Sequence, residues 1–265
     1  MAKLDFTNKW VLVTGASSGL GKAMALHLAK EEHAHLVITG RRKEALEILK
    51  KEIQAAGYSS VIVIQADLSC RQEVENLFAE TIALVDLYAL INNAGITYYG
   101  KTNATDMETF EKMMQVNFNA SMILTLRCLE LFAQKGSGAI LNITSEAAFV
   151  PIPYQAVYSA GKHALQSFTT GLCMENKHGG VVIASFAPGG ISTNMLHASG
   201  LDKKKGVHGW FTMSPEKAAK LAVKTFKKKK MHSFPGLINK LTLLLNRFLP
   251  RKWVAHATER IYRPI

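Results

Sequence analysis

"WVLVTGASSGLG", residues 10–21, is the stretch that decides how this chain folds. An apolar, β-branched run stops at Thr14 and Gly15, glycines return at 19 and 21, and the helical pattern "GKAMALHLAKEE" begins at residue 21. A buried strand that feeds a glycine-rich turn and then a helix has a physical use. The glycines allow a tight turn and close approach of backbone to a pyrophosphate, and the helix directs its first N–H groups at the anion. The spacing is TGxxxGxG, not the GxGxxG usual for dinucleotide sites, and such a turn can also do no more than join strand to helix. Its position after the first strand favours the nucleotide reading. The candidate contacts are Gly15, Ser17, Ser18, Gly19, Leu20 and Gly21.

The same alternation recurs along the chain. "HLVITG" (35–40), "SVIVIQ" (60–65), "LYALIN" (87–92), "GAILNIT" (138–144) and "GVVIASF" (180–186) are apolar on both faces, as strands covered by helices on each side must be. Helical patterns lie between them, among them "RKEALEILKKEIQAAG" (42–57) and "FEKMMQVNFNASMILTLRCLELFAQKG" (110–136). Several end at a glycine suited to a left-handed C-cap. Repeated β–α–β units predict an α/β fold: a doubly wound parallel sheet of Rossmann type, three layers α/β/α, with ligands bound beyond the carboxyl ends of the strands. No Pro-, Gly- or Ser-rich linker divides the chain. One dinucleotide-binding and catalytic domain is expected over residues 1–230, followed by a basic amphipathic helical extension over 231–265.

The second strand runs into "TGRRKEAL", residues 39–46. An acid at this place holds the adenosine ribose hydroxyls, whereas arginine suits a 2′-phosphate, whose geometry the guanidinium fork matches. Arg41 and Arg42 stand there. Two solvated arginines at a helix start are the alternative, but there their charge opposes the local dipole. NADP is therefore expected ahead of NAD. Asp67, with Leu68 beside it, follows the third strand and is either an acceptor for the adenine amine or a turn residue. Asn93, Ala94 and Gly95 close the fourth strand in "NNAG", a cluster able to brace backbone beside a cofactor and equally ordinary in turns.

The fifth strand ends at "ITSEAAF", which places Ser145 on the same rim. In "AVYSAGKHAL", residues 156–165, Tyr158 precedes Lys162 by four positions, a spacing that stacks both side chains on one helix face. Asn117 interrupts the helical "MMQVNFNA" as a poor helix former. Each residue alone has a structural explanation: a strand end, a snorkelling surface pair, an asparagine bonded to its own backbone. Their joint order behind the glycine turn is harder to assign to structure alone.

With these motifs together, the chain resembles the short-chain dehydrogenase/reductase family over roughly residues 6–230. The resemblance rests on TGxxxGxG at 14–21, NNAG at 92–95, Asn117, Ser145, YxxxK at 158–162 and "PGGIST" at 188–193. It implies that Ser145, Tyr158 and Lys162 form the active site and that Asn117 supports a water-linked proton path. It implies too that Lys162 grips the nicotinamide ribose, and that the 188–193 loop, with Pro188, Gly189, Ile191 and Thr193, lies against the nicotinamide and the phosphates. Gly190 is a flexible position in that loop. The implied reaction is NADP-dependent interconversion of a carbonyl and an alcohol.

Hydride arriving at a carbonyl carbon leaves charge on oxygen, which needs a proton donor and stabilising contacts. A free tyrosine, with a pKa of about 10, exchanges protons poorly at neutral pH. A cation within about 4–6 Å favours the phenolate. Lys162 is expected to lower Tyr158 in this way, while Ser145 orients the substrate oxygen. The competing reading is a non-catalytic cofactor sensor or partner-binding protein on the same fold, for which a tuned phenol has no use.

Charge is unevenly distributed. Residues 200–265 hold 16 of the 32 Lys and Arg but only 3 of the 20 Asp and Glu, so the net +12 belongs to the last quarter. The segment 190–213, with Met195, Leu196, Trp210 and Phe211, is long enough to be expected as a lid over an apolar substrate, its lysines at 203–205 facing water. Beyond it, Leu237, Ile238, Leu241, Leu244, Leu245 and Phe248 share one helical face, preceded by "KKKK" and followed by "RKWVAHATERIY". This tail either packs on the core or a second subunit, or lies on an anionic membrane through residues 227–263. The membrane reading suits a lipophilic substrate such as a steroid-like ketone or a fatty-acyl derivative. Three scattered cysteines, without metal spacing, and a start lacking a secretion-type apolar core predict reduced thiols and a cytoplasmic protein, peripheral to a membrane if the tail binds lipid. A homo-oligomer, dimer or tetramer, is expected. No metal is expected, and no nucleic acid, since the basic tail carries no reading motif.

Overall fold

A computed structural model describes residues 2–57, 59–193, 195, 212–236 and 248–264. Among the described residues seven strands form one parallel sheet: β1 Trp10–Thr14, β2 His35–Gly40, β3 Val61–Gln65, β4 Leu87–Asn92, β5 Gly138–Ile143, β6 Val181–Phe186 and β7 His232–Ser233. They run in the order β3-β2-β1-β4-β5-β6-β7, each pair parallel. The alternation of β1 sorts the core into two layers. Val11 and Val13 pack with α1 (Gly19–Glu32), α2 (Lys43–Ala55) and α7 (Pro215–Lys227), while Leu12 packs with α3 (Arg71–Leu84), α5 (Ala120–Lys135) and α6 (Ala156–Glu175). Successive side chains of a strand leave opposite faces, so a strand apolar throughout is sealed by helices above and below.

The strand order reverses between β1 and β4, the switch point where an open α/β sheet takes its ligand in a crevice beyond the carboxyl ends. Thr14 stitches its floor: Thr14 Oγ1 accepts from the N–H groups of Asn93 at 2.9 Å and Ala94 at 3.0 Å. Beneath it, Asn92 Nδ2 donates to Asn142 Oδ1 at 2.9 Å and to Thr125 Oγ1 at 3.0 Å, and Asn142 Nδ2 donates to Thr169 Oγ1 at 2.9 Å. This buried polar chain fixes the spacing of β4, β5, α5 and α6 under the site.

One helix departs from the pattern read in the sequence. The helix expected over 110–136 is α4 (Met107–Met114) joined to α5 through one π-helical turn, Gln115–Asn119, with Asn117 fully buried in it. Such a turn inserts one residue into the helix and redirects the side chain it carries. A short strand follows residue 230. β7 lies at 232–233, with Ser185 N donating to Met231 O and Ala187 N to Ser233 O. A strand of two residues has no periodicity for a sequence pattern to reveal. The C-terminal extension is helical as expected: "RKWVAHATERIY" forms α8 (Arg251–Tyr262), whose inner side docks on this chain's own loops. The apolar positions at 237, 238, 241, 244 and 245 lie outside the described residues, as do Leu196, residues 203–205, Trp210 and Phe211 of the expected lid. Among the described residues no helix is long and apolar enough to cross a membrane.

Candidate active site

The glycine turn is defined by what cannot fit. A Cβ on Gly15, which sits at φ +66°, would lie 2.8 Å from Ala94 Cα, and one on Gly21 would lie 2.3 Å from Gly15 O. Asn93 Nδ2 holds the turn by donating to Thr14 O at 2.9 Å and Gly15 O at 3.3 Å. Ser18 caps α1 in extended geometry without a side-chain hydrogen bond, which leaves the first-turn amides to other acceptors. Thr193 closes over this turn: a Cβ on Gly19 would meet Thr193 Cγ2 at 3.1 Å. The loop carrying Thr193 is pinned at Gly190, whose carbonyl accepts from Met213 N at 2.9 Å, and at Pro188, whose carbonyl accepts from Glu146 N at 2.9 Å. Gly190, a flexible position in the sequence, is thus tied down.

Arg42 reaches back to the turn, its Nη2 donating to Ser17 O at 3.1 Å and Ser17 Oγ at 3.3 Å. Arg41 stands near Asp67. Burial raises the Asp67 carboxyl, but two hydrogen bonds from Ser69 and the charge of Arg41 outweigh it and leave it below its ordinary value. Asp67 Oδ1 accepts both bonds at 2.9 Å, so the turn role is realised there. The Leu68 side chain is buried in the core under β3, which leaves only its backbone for a ligand. Ile191 packs against the core and pairs with Met213. A narrow cradle that any Cβ would fill, free helix-start amides and an arginine at the end of β2 together fit a dinucleotide.

Across the crevice, α6 delivers Tyr158 and Lys162. Ser159 Oγ donates to Ala147 O at 3.0 Å and to Val150 O at 3.1 Å, which locks this helix to the segment after β5. Lys162 is 3 % exposed and donates to Ile143 O at 3.0 Å, and burial pushes its ammonium down to about 8. Gly95 approaches both Lys162 Nζ and Asn117 Oδ1: a Cβ there would lie 3.6 Å and 3.3 Å from them. Asn117 faces the segment after β4, its Oδ1 accepting from Ile96 N and its Nδ2 donating to Ile96 O, both at 2.8 Å.

Tyr158 behaves differently from the sequence expectation. Burial raises its phenol above the ordinary value, and the opposing influence is a hydrogen bond with Ser145. The lysine expected to lower it is turned to Ile143 O instead. Ala147 N donates to Ser145 Oγ at 3.1 Å, which occupies one lone pair of the serine oxygen. The structure thus brings Ser145, Tyr158, Lys162 and Asn117 to one end of the crevice and the glycine turn to the other, with Gly95 between.

Two groups at this site carry no signal in the sequence. Glu146 follows Ser145, and burial pushes its carboxyl up to about 7. Tyr262, near the end of the chain, has its phenol pushed up to about 12 by burial and by the nearby Glu146 and Tyr158. Only the docking of α8 brings residues 146, 158 and 262 together.

The sequence pattern of the short chain dehydrogenases matches residues 9–204. The chain belongs to the short-chain dehydrogenase family. It is 30% identical over 252 residues to an uncharacterized oxidoreductase, YbbO, of Escherichia coli strain K12, covering 91% of each chain. Among solved structures of this family it is similar to a Sphingobium yanoikuyae short-chain dehydrogenase in complex with NADPH, at 26% identity and a TM-score of 0.81 over 91% of this chain and 93% of that one. It is also similar to a 7β-hydroxysteroid dehydrogenase, at 25% identity and a TM-score of 0.84 over 96% and 97%. As a short-chain dehydrogenase the protein is an oxidoreductase that acts on an alcohol or its carbonyl with an NAD(P) cofactor.

Proposed function

We propose that this enzyme is an NADP-dependent carbonyl reductase and alcohol dehydrogenase for a lipophilic ketone, steroid-like or fatty-acyl, with Tyr158 as general acid and base. The observation that carries the reading is the shared placement of Ser145, Tyr158 and the buried Lys162, with Ser145 close enough to the phenol to influence it and Lys162 one helical turn along the same helix. A bound nicotinamide supplies hydride in reduction and takes it in oxidation. Ser145 and Tyr158 hold the substrate oxygen, and Tyr158 passes its proton to that oxygen as charge develops there. A phenol raised by burial is protonated at neutral pH, which suits reduction; oxidation accelerates as pH rises and the proton leaves. Lys162, freed from Ile143 O, holds the nicotinamide ribose, and its charge favours the phenolate once it turns toward Tyr158. Asn117 keeps the segment at Ile96 in place and carries the proton path toward Lys162.

Arg42 over Ser17 supports NADP, since a 2′-phosphate bridging the two would meet a planar donor fork. The NADPH complex of the Sphingobium relative points the same way. Lipophilicity is supported by Tyr98, Phe110 and Met113, a buried apolar cluster against which Tyr158 and Val157 pack, and by the hydroxysteroid relative. We place catalysis and cofactor binding in residues 1–230, and expect a dimer or tetramer. The outer side of α8, with Trp253 65% exposed beside Arg251 and Lys252, is the proposed contact to anionic membrane. Vesicle flotation of the full chain at rising salt tests that contact, and equal recovery with neutral and anionic vesicles refutes it.

The decisive assay follows NADPH and NADH consumption over a panel of steroid ketones, acyl thioesters, quinones and sugars. Tyr158→Phe is expected to lower kcat by about 10²–10⁴ while NADPH still binds. Undiminished turnover of a good substrate by that variant would overturn the assignment.

A further inference from the structure

α8 is held across the substrate side of the crevice by hydrogen bonds from loops distant in sequence. Tyr99 Oη donates to Tyr262 O at 2.8 Å, Tyr154 Oη to Glu259 Oε1 at 2.9 Å, and Thr258 Oγ1 to Pro151 O at 2.8 Å. Arg263 grips Glu259 at 2.8 and 2.9 Å and stiffens the end of the helix. Tyr154 keeps its place at φ +65°, an uncommon backbone state for a residue with a side chain. The consequence of this anchoring is the position of the Tyr262 phenol, within electrostatic reach of both Glu146 and the catalytic Tyr158.

Glu146 is fixed from the other side. It follows Ser145 directly, and its N–H donates to Pro188 O at 2.9 Å, so it sits between the catalytic serine and the 188–193 loop. Its Oε1 is buried without a hydrogen-bond partner among the described residues. A buried carboxyl oxygen left unpaired costs stability, and a group in that state beside an active site is one that a ligand can satisfy. The reacting oxygen of the substrate is already served by Ser145 and Tyr158. What remains is an acceptor, Glu146, and a phenol, Tyr262, that can donate. An ammonium group offers donors only and leaves the phenol proton without an acceptor. A hydroxyl offers a donor to the carboxyl and an acceptor to the phenol, and so completes both.

We propose that Glu146 and Tyr262 form a hydroxyl-recognising subsite, so that the preferred substrate is a ketone carrying a second, alcoholic oxygen near the reacting carbonyl. The proposal rests on the reading above that Ser145 and Tyr158 take the carbonyl. The hydroxyl is not the group transferred; it orients the molecule so that one carbonyl among several faces the phenol, and gives the α8 cap a part in specificity. Burial pushes the carboxyl up to about 7, so it is an acceptor-only carboxylate above neutral pH and carries a proton of its own below it.

The test uses the full-length enzyme and pairs of cyclic ketones that differ only in one hydroxyl, set at successive positions around the ring system. For each pair kcat/KM is measured with NADPH, and the affinity of both members for NADP⁺-loaded enzyme is measured by calorimetry, which reads the subsite without turnover. At one hydroxyl position the wild-type enzyme is expected to favour the hydroxylated member by about tenfold or more. Glu146→Met and Tyr262→Phe should each collapse that ratio toward one, and Glu146→Gln, which keeps an acceptor oxygen, should retain part of it. Equal preference for both members at every position, or variants that weaken both equally, would overturn the subsite. Loss of the NADPH reaction with a preserved calorimetric ratio would instead count against the catalytic reading and leave the subsite standing.

Discussion

The end proposed for the nucleotide and the end proposed for the substrate are held by different kinds of contact. At the nucleotide end the closest contacts are of glycine backbone against backbone, braced by the short side chains of Thr14 and Asn93. Gly15, Gly21 and Ala94 approach so nearly that no side chain could intervene, and the partners sit within the short motifs 14–21 and 92–95. At the substrate end the walls are joined by side-chain hydroxyls across 163, 105 and 107 residues of chain, from Tyr99 to Tyr262, Tyr154 to Glu259 and Thr258 to Pro151. A cradle made by the absence of side chains fails when one is added, and takes the fold with it. A cap made of single hydrogen bonds fails one bond at a time and should change selectivity before stability.

Adding a methyl group at the cradle is the strongest way to break this contrast. In Gly21→Ala the new Cβ lies 2.3 Å from Gly15 O and 2.5 Å from Asn93 Nδ2, and the first of these is backbone that cannot move aside cheaply. The expected cost is about 3 kcal/mol of stability, with NADPH affinity falling in step. Thermal unfolding and NADPH titration check it. An unchanged Tm with full NADPH affinity would mean that the glycine turn is not the rigid element described here.

The next largest effect probes the buried carboxyl between the two ends. Glu146 rises from 4.5 to about 7 on folding, so its contribution to stability is complete below about pH 4.5 and is lost as pH climbs through 7. Glu146→Gln removes the titration. The Gln variant should gain on the wild type between pH 4.5 and 8, by at most about 3 kcal/mol. The groups facing the carboxyl, Tyr158 of α6 and Tyr262 of α8, both lie above their ordinary values and stay protonated in that window. Lys162, pushed down to about 8, is present in both proteins and cancels in the difference. A gap in Tm that is flat with pH would remove Glu146 from the buried site.

These two residues also mark what the sequence makes legible. Gly21 sits in a motif whose spacing is set by local geometry, and strand, turn and helix follow one another in the chain, so the cradle can be read without coordinates. The expected ranges of the first six strands fall within a residue of those observed for the same reason: a strand sealed on both faces needs an unbroken apolar run. Glu146 is different. Next to Ser145 it is one acid at a strand end, and nothing in "ITSEAAF" tells that its oxygen is buried or that Tyr262 stands opposite. The π-helical turn around Asn117 and the two-residue β7 are hidden likewise, because each is imposed by packing and leaves no period in the sequence. The lysine effect on Tyr158 was legible as spacing but not as geometry, since i,i+4 placement does not say which oxygen an ammonium group will choose.

A smaller effect is expected at the outer edge of the cradle. Arg42 is exposed and bonded to Ser17, so Arg42→Leu should leave the fold intact. With the guanidinium gone, the ratio of kcat/KM for NADPH over NADH is expected to fall by about tenfold, the order of one charge-assisted contact to phosphate. If the ratio stays above unity and unaltered, the 2′-phosphate is held elsewhere and Arg41 is the next residue to change.

The smallest effect sharpens the comparison most, because it separates the two ends in one measurement. Tyr154→Phe removes a single hydrogen bond, the one to Glu259, and leaves the ring in place. Tyr99 and Thr258 still hold α8, so the helix stays docked but with more freedom at Tyr262. One hydrogen bond to a charged group is worth about 1.5–3 kcal/mol at most, and part is recovered because Arg263 keeps its grip on Glu259. The KM for the ketone should rise roughly threefold to tenfold, with the NADPH dissociation constant unmoved. A parallel loss of NADPH affinity would show that strain in the cap reaches the glycine cradle through the segment at residues 95–100, and the two ends would then have to be treated as one cooperative unit.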